Sequence, residues 1–240
     1  MDWTDEGIVL AAREHGENAL IVTALTRERG RHAGLVHGGA GSRQRPTWQL
    51  GNRVQLTWRA RTAEQLGTYH GELRTPHAAR SLDDPAALSG LAAACAMIDA
   101  ALPEREPHPA MFDGMEALLT SLGHPGWPVI FVHLEIGLLQ ELGFGLDLGK
   151  CAVTGVTEGL CYVSPRTGRA VCAEAGEAYK EKLLPLPAFL AGGGAAAGPD
   201  DLGHGLDLTG YFLERHVFWP HNKPLPPTRE RFVETITRPD

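Results

Sequence analysis

Cysteine is scarce in this chain. Its four residues, at positions 95, 151, 161 and 172, are too few and too unevenly spaced for a disulfide framework, and they point to a reducing cytoplasm. No apolar run approaches the roughly 20 residues of a membrane span, which excludes a transmembrane protein. The opening Met1-Asp2-Trp3-Thr4-Asp5-Glu6 has neither the basic nor the apolar region of a signal peptide, so a cytoplasmic location is expected. Serine falls to five residues while Leu, Val and Ile are spread throughout, which argues against disorder. Enzyme signatures are missing too: no G-x-S-x-G, no H-E-x-x-H, no Walker lysine after the glycines, and no H-x-E paired with P-C-x-x-C. The common hydrolases and kinases are disfavoured, and the eleven histidines stand singly.

What remains is an ordinary globular balance, 43% hydrophobic and 21% charged over 240 residues, enough for one large domain or, the reading favoured, two or three small ones. The net charge of −7 hides an asymmetry. Residues 1–80 hold no lysine but 11 arginines against 8 acids, a balance of +3; residues 81–240 hold 11 bases against 21 acids, a balance of −10. Such a split suggests parts with separate partners.

The first 80 residues read as five strands. Gly7–Arg13 and Ala19–Thr26 form a hairpin, Arg31–Val36 follows, and a Gly- and Arg-containing loop spans His37 to Leu50. In the next strand, Val54, Leu56 and Trp58 alternate with Arg53, Gln55, Thr57 and Arg59, a period of two with one wet, cationic face. Leu66–Leu73 completes the set. The count and the interruption fit a small OB-type barrel, with an SH3-like barrel as the competitor. From Leu82 the signal is helical. Asp84 as N-cap and Pro85 at the first position open a helix to Leu102. Further helices are expected over Pro107–Gly123, Pro128–Gly143, Ala173–Leu184, Leu206–Trp219 and Thr228–Ile236. Ala191–Pro199 is read as a low-complexity connection. The fold expected is therefore α+β and multidomain: a barrel over 1–80, a helical domain over 81–240, and an irregular insert over 145–176.

That insert carries Cys151-Ala152-Val153-Thr154-Gly155 and Cys172-Ala173-Glu174-Ala175-Gly176 about a hairpin. Two C-x-x-C-G knuckles are the plan of a four-cysteine zinc ribbon, but here Thr154 and Ala175 occupy the second positions and Cys161 lies inside the hairpin. The reading favoured is a ribbon-shaped turn without metal, ahead of a zinc site of Cys151, Cys172 and a borrowed histidine. The arginines point elsewhere. Arg43 and Arg45 sit in the glycine-rich loop, Arg53 and Arg59 on one strand face, Arg61 just beyond, and Arg27, Arg29 and Arg31 around a turn. Guanidinium forks suit phosphate, and a small barrel with basic loops can track a nucleic-acid strand. A solvated face paired with Glu14, Glu28 and Glu64 is the alternative.

The strand-rich start with Gly16-Glu17, Leu25-Thr26 and Gly30, the loop Gly38-Gly39-Ala40-Gly41-Ser42-Arg43, and the Cys-x-x-x-Gly, Tyr-Val-Ser-Pro, Cys-x-x-x-Gly patch in a helical domain together resemble the RecO family of bacterial recombination mediators. The resemblance spans nearly the whole chain. It implies an OB-fold domain and a helical domain, binding to single- and double-stranded DNA, annealing of complementary strands, and loading of RecA with RecR on strands coated by the single-strand binding protein. It implies no catalysis. The family's basic loop matches Arg43 and Arg45; Arg13, Arg53, Arg59 and Arg61 join them by alternation. Many members carry four zinc cysteines, and this chain keeps Cys151 and Cys172 alone, so no cofactor is expected. The acidic tail of the single-strand binding protein is expected on the helical domain, near Arg215 with its aromatic neighbours or near Lys180 and Lys182. A protein-binding adaptor and a cysteine-based enzyme stay open as alternatives. The location implied is cytoplasmic, at the nucleoid.

Overall fold

In the computed structural model, which describes residues 1–192 and 197–237, five strands precede the first long helix: β1 (Asp2–His15), β2 (Ala19–Thr26), β3 (Gly30–Val36), β4 (Arg53–Arg59) and β5 (Thr68–Thr75). The alternation in β4 decides its orientation: Val54, Leu56 and Trp58 are buried and the residues between them are not. The β2–β3 turn is closed by Thr26, whose hydroxyl donates to the Gly30 carbonyl (2.9 Å) and accepts from the Arg29 N–H (3.1 Å). Gly30 has φ +67°, and a Cβ there would lie 1.8 Å from the Glu106 carbonyl oxygen, so no other residue fits.

β1 pairs with both β2 and β4, β2 with β3, β4 with β5, and β3 meets β5 in a short parallel contact at Leu35 and Thr68. The pairings return to β1 and close the barrel. Followed residue by residue they run Asp2, Arg59, Thr68, Leu35, Ile21, Arg13, and so rejoin β1 eleven residues further on. This stagger is what closing a small number of strands requires. The interior is filled by Val9, Leu20, Val22, Ala24, Val36, Trp48, Val54, Leu56, Trp58 and Tyr69. Each large side chain there contributes roughly 1.5–3 kcal/mol by leaving water. β1 is longer than the expected Gly7–Arg13 because its polar first half pairs with β4. Asp5 lies inward and buried, but its carboxylate accepts the N–H groups of Glu6 and Glu28 (2.8 Å each).

After the short α1 (His77–Arg80), α2 (Pro85–Ala101) starts as its sequence requires, with Asp84 accepting from the N–H groups of Ala86 and Ala87 (3.0 Å each). Its Cys95 thiol reaches the Val9 carbonyl (3.6 Å), which sets the helix against β1. α3 (Pro109–Ser121) follows. By contacts the chain divides into 1–123 with 226–229, and 124–225 with 230–240. The change from strand to helix falls between Thr75 and His77, and α2 and α3 belong to the same unit as the barrel.

The second unit holds α4 (Trp127–Glu141), the strands β6 (Leu160–Val163) and β7 (Ala170–Cys172), α5 (Ala173–Gly176), β8 (Leu184–Pro185), α6 (Pro199–Leu213) and the end of α7 (Pro227–Thr237). α4 buries Phe131, Val132, Leu138 and Leu139, and the buried Glu135 accepts from the Thr209 hydroxyl of α6 (2.5 Å). Phe232 of α7 packs on Phe131 (4.4 Å between ring centroids). The helix expected over Ala173–Leu184 is broken. It stops at Gly176, continues as a 3-10 turn over Glu177–Lys182, and ends in β8, which pairs with β6. No residue of Glu177–Lys182 is buried, so the segment has no apolar face to hold an α-helix. The helix expected over Leu206–Trp219 instead spans Pro199–Leu213 and loosens into a π-turn over Glu214–Phe218. Of the low-complexity stretch, residues 193–196 lie outside the described residues.

Candidate nucleic-acid interface

The row that closes the barrel also defines its outer surface. Directly opposed residues share a face, and along this row Asp2, Arg59 and Arg13 are exposed while Thr68, Leu35 and Ile21 are half-buried. Arg13 and Arg59 therefore end one arc across β2, β3 and β5, a path of four strand spacings, roughly 19 Å measured along the curved sheet. At the Arg13 end stand the β1–β2 hairpin tip and the loop bearing Arg43 and Arg45. At the Arg59 end stands the 60–67 loop with Arg61. This is the surface, β2–β3 with the flanking loops, on which OB-folds receive oligonucleotides.

The arginines on it differ in their freedom. Arg43, Arg59 and Arg61 are exposed and form no ion pair among the described residues. Arg45 lies 3.9 Å from Glu14 and Arg13 3.9 Å from Asp99, both as loose pairs with exposed guanidiniums, worth little in water. Arg53 departs from expectation. Its guanidinium donates to Glu6 (2.6 Å) and to Glu116 of α3 (3.1 Å), and the hydrogen bond to Glu6 raises its pKa against the opposing effect of burial. It ties the barrel to α3 and is removed from the cationic surface. The turn arginines divide in the same way. Arg31 is held by the Leu102 carbonyl, Asp99 and Glu104, and Arg27 by Asp113, whereas Arg29 forms no ion pair among the described residues.

In the ribbon, Cys151 and Cys172 do come together. The Cys151 sulfur accepts from the N–H groups of Cys172 (3.3 Å) and Thr154 (3.5 Å), and the Thr154 hydroxyl lies 3.6 Å from the Cys172 sulfur. Burial pushes the Cys151 thiol up, but hydrogen bonds from Thr154, Cys172 and Val153 outweigh it and leave its pKa at about 6. Among the described residues no three of His, Cys, Asp and Glu converge. Two sulfurs closed by a threonine hydroxyl do not fit a tetrahedral zinc centre.

Around the π-turn, Phe212 and Phe218 are buried in the core, Trp219 is exposed, and the exposed Arg215 donates to the Tyr211 hydroxyl (3.5 Å). Lys180 pairs with Glu177 (2.8 Å), and Lys182 is exposed. No helix among the described residues is long and apolar enough to cross a membrane.

The family profile described as Recombination protein O N terminal matches residues 1–76, and that described as Recombination protein O C terminal matches residues 82–225. The chain belongs to the RecO family. It is 55% identical to the DNA repair protein RecO of Rhodospirillum centenum over 98% of this chain and 94% of that protein. The same identity relates it to the DNA repair protein RecO of Phenylobacterium zucineum, over 99% and 98%. That of Hyphomonas neptunium is 46% identical over the full length of both. RecO is a family of DNA repair and recombination proteins, as the motif combination leads one to expect. The gap between the two RecO profiles falls where the barrel strands give way to α2.

Proposed function

We propose that this chain is a DNA-binding recombination mediator that works without bond chemistry. It binds single and double strands through the outer barrel surface, anneals complementary strands, and with RecR helps RecA onto strands coated by the single-strand binding protein, in the cytoplasm at the nucleoid. The observation that carries the reading is the arc from Arg13 to Arg59 across β2, β3 and β5, flanked by the free Arg43 and Arg61. Annealing needs two polyanions neutralised and brought together, which arginine does by displacing counterions. A mediator that acts on any sequence needs phosphate contacts and no base-edge readout. The ribbon is proposed to be a metal-free packing element. The acidic tail of the single-strand binding protein is proposed to dock on the second unit, with Arg215, Lys180 and Lys182 as its cationic candidates.

The test is binding of the intact protein to labelled single and double strands across a salt series, with annealing measured in parallel. Steep salt dependence and accelerated annealing are expected. Weak, salt-independent binding with partner binding intact would instead make the protein an adaptor.

A further inference from the structure

One mouth of the barrel, beside the 60–67 loop, opens into a cavity of about 390 Å³, within the roughly 300–1,000 Å³ range of small-molecule sites. Its wall is aromatic. Trp3 is half-buried and stacks on the buried Trp58 (5.7 Å between centroids, 18° between planes), and His32 meets both indoles edge-on (5.0 and 5.1 Å). Two guanidiniums, of Arg29 and Arg105, line the same space, and Asp2 is the one carboxylate among its lining residues.

Both arginines are available to an anion. Arg29 is exposed without an ion pair among the described residues. Arg105 donates to the carbonyls of Ala63, Glu64 and Gln65, neutral partners that position it without cancelling its charge. It holds φ +62°, the left-handed region that a non-glycine residue seldom enters. Its backbone N–H donates to the Arg31 carbonyl (2.8 Å), which fixes it there. Backbone held in such a conformation is concentrated at ligand sites. Burial first, then Arg105, lowers the His32 pKa to about 4; the Ala33 backbone and Glu104 oppose the shift, and Arg29 adds a smaller lowering. The imidazole is therefore neutral at pH 7, and the two guanidiniums that repel its proton attract phosphate.

We propose that this mouth receives one nucleotide of a single strand, with its base against Trp3 and its phosphate on Arg29 and Arg105. The inference rests on the DNA-binding reading above and adds a base-stacking station at the Arg59–Arg61 end of the arc. A flat aromatic wall beside paired cations is the chemistry by which proteins hold single strands without regard to sequence.

The experiment measures binding of the full chain to an oligothymidylate and to an abasic strand of equal length, with melting curves as a fold control. Trp3→Ala is expected to weaken binding to the oligothymidylate by about five- to hundredfold, the fold-change of one lost base–aromatic contact, and to leave the abasic strand unaffected. Trp3→Phe, which keeps an aromatic face and guards against a misfolded alanine variant, should stay within about threefold of wild type on both. Arg29→Gln should weaken both strands and lower the single-strand salt slope by about 0.7. Equal binding of wild type and Trp3→Ala to the oligothymidylate, or an equal loss on both strands, overturns the proposal. Tight binding of thymidine monophosphate alone would overturn the assignment to a strand. Should wild type fail to bind single strands at all, it is the mediator reading that falls; binding without dependence on Trp3 defeats the mouth alone.

Discussion

Arg53 and the pair Arg59 and Arg61 stand at opposite ends of β4 and just beyond it, yet among the described residues only Arg53 of the three is ion-paired, and replacing them should separate stability from the proposed DNA affinity. Arg53→Ala removes the cation shared by Glu6 and Glu116. The side chains of Arg53 and Glu116 are 28% and 26% exposed, so the pair is mostly but not wholly out of water. Stranding one partner of a buried pair costs about 3–5 kcal/mol; with a quarter of each group still hydrated, about 2–3 kcal/mol is expected. For a chain of this size that lowers Tm by about 5–10 °C. Single-strand affinity and its salt slope should not change, because no phosphate contact is lost. Arg59→Ala with Arg61→Ala should do the reverse: Tm within about 1–2 °C of wild type, since exposed unpaired groups add little, and a slope reduced by about 1.4 on single strands. Thermal melts and fluorescence anisotropy at four salt concentrations, on the same preparations, decide the matter. A reduced slope with unchanged Tm in Arg53→Ala would refute the division of the arginines into structural and free.

Arg43→Ala with Arg45→Ala should weaken binding to all sequences about equally and lower the slope by roughly 0.7 per lost contact; unchanged binding by a folded protein removes this loop from the interface. Protein made without an affinity tag should hold no stoichiometric zinc by elemental analysis, and one tight zinc lost with stability in Cys151→Ser would contradict that. His32 has a folded pKa of about 4, below its unfolded value. The unfolded chain thus binds more protons between pH 6.5 and 4, and stability present above pH 6.5 is lost as pH falls through that window, by roughly 3 kcal/mol. Urea melts should show this increment shrinking in His32→Gln. A labelled acidic tail peptide should bind the intact protein and lose affinity in Arg215→Ala or in Lys180→Ala with Lys182→Ala, while Arg43→Ala leaves it unchanged; a dependence on Arg43 alone would move the tail to the barrel.

The fold could be read wherever one physical signal dominated. Period two in Arg53–Arg59 and the Asp84–Pro85 start of α2 both stand as expected, because alternation and capping are local. The first half of β1 was hidden by Asp5, an inward carboxylate made tolerable by two backbone N–H groups, one of them 23 residues away. Ala173–Leu184 misled through composition: Ala, Glu and Lys favour a helix, but with nothing to bury, Leu184 serves the sheet beside Val163. For the site, sequence could list the cations but not their partners. Asp99, Asp113 and Glu116 sit on α2 and α3, far along the chain, and they decide which arginines remain free. Trp3, His32 and Arg105 had no common motif to bring them together, since closure of the barrel alone makes them neighbours.

That partition changes what the charge asymmetry means. An all-arginine first third with a +3 balance reads as a cationic footprint, but Arg27, Arg31 and Arg53 hold the barrel to α2 and α3. Arginine suits that work because a planar fork can serve two or three acceptors at once. Arg31 meets a carbonyl and two carboxylates, and Arg53 bridges two carboxylates on separate elements. A lysine ammonium offers no such fixed geometry. The same fork fits phosphate, so selection for either task yields the same residue, and composition cannot separate the tasks. Exchange for lysine can. At Arg53 it should destabilise the fold by losing one of two geometric partners. At Arg59 and Arg61, where the field of the charge matters more than its shape, Lys should keep most of the affinity and the full salt slope. Equal tolerance at all three positions would mean that Arg53 is as free as the others, and the geometry drawn between β4 and α3 would be wrong.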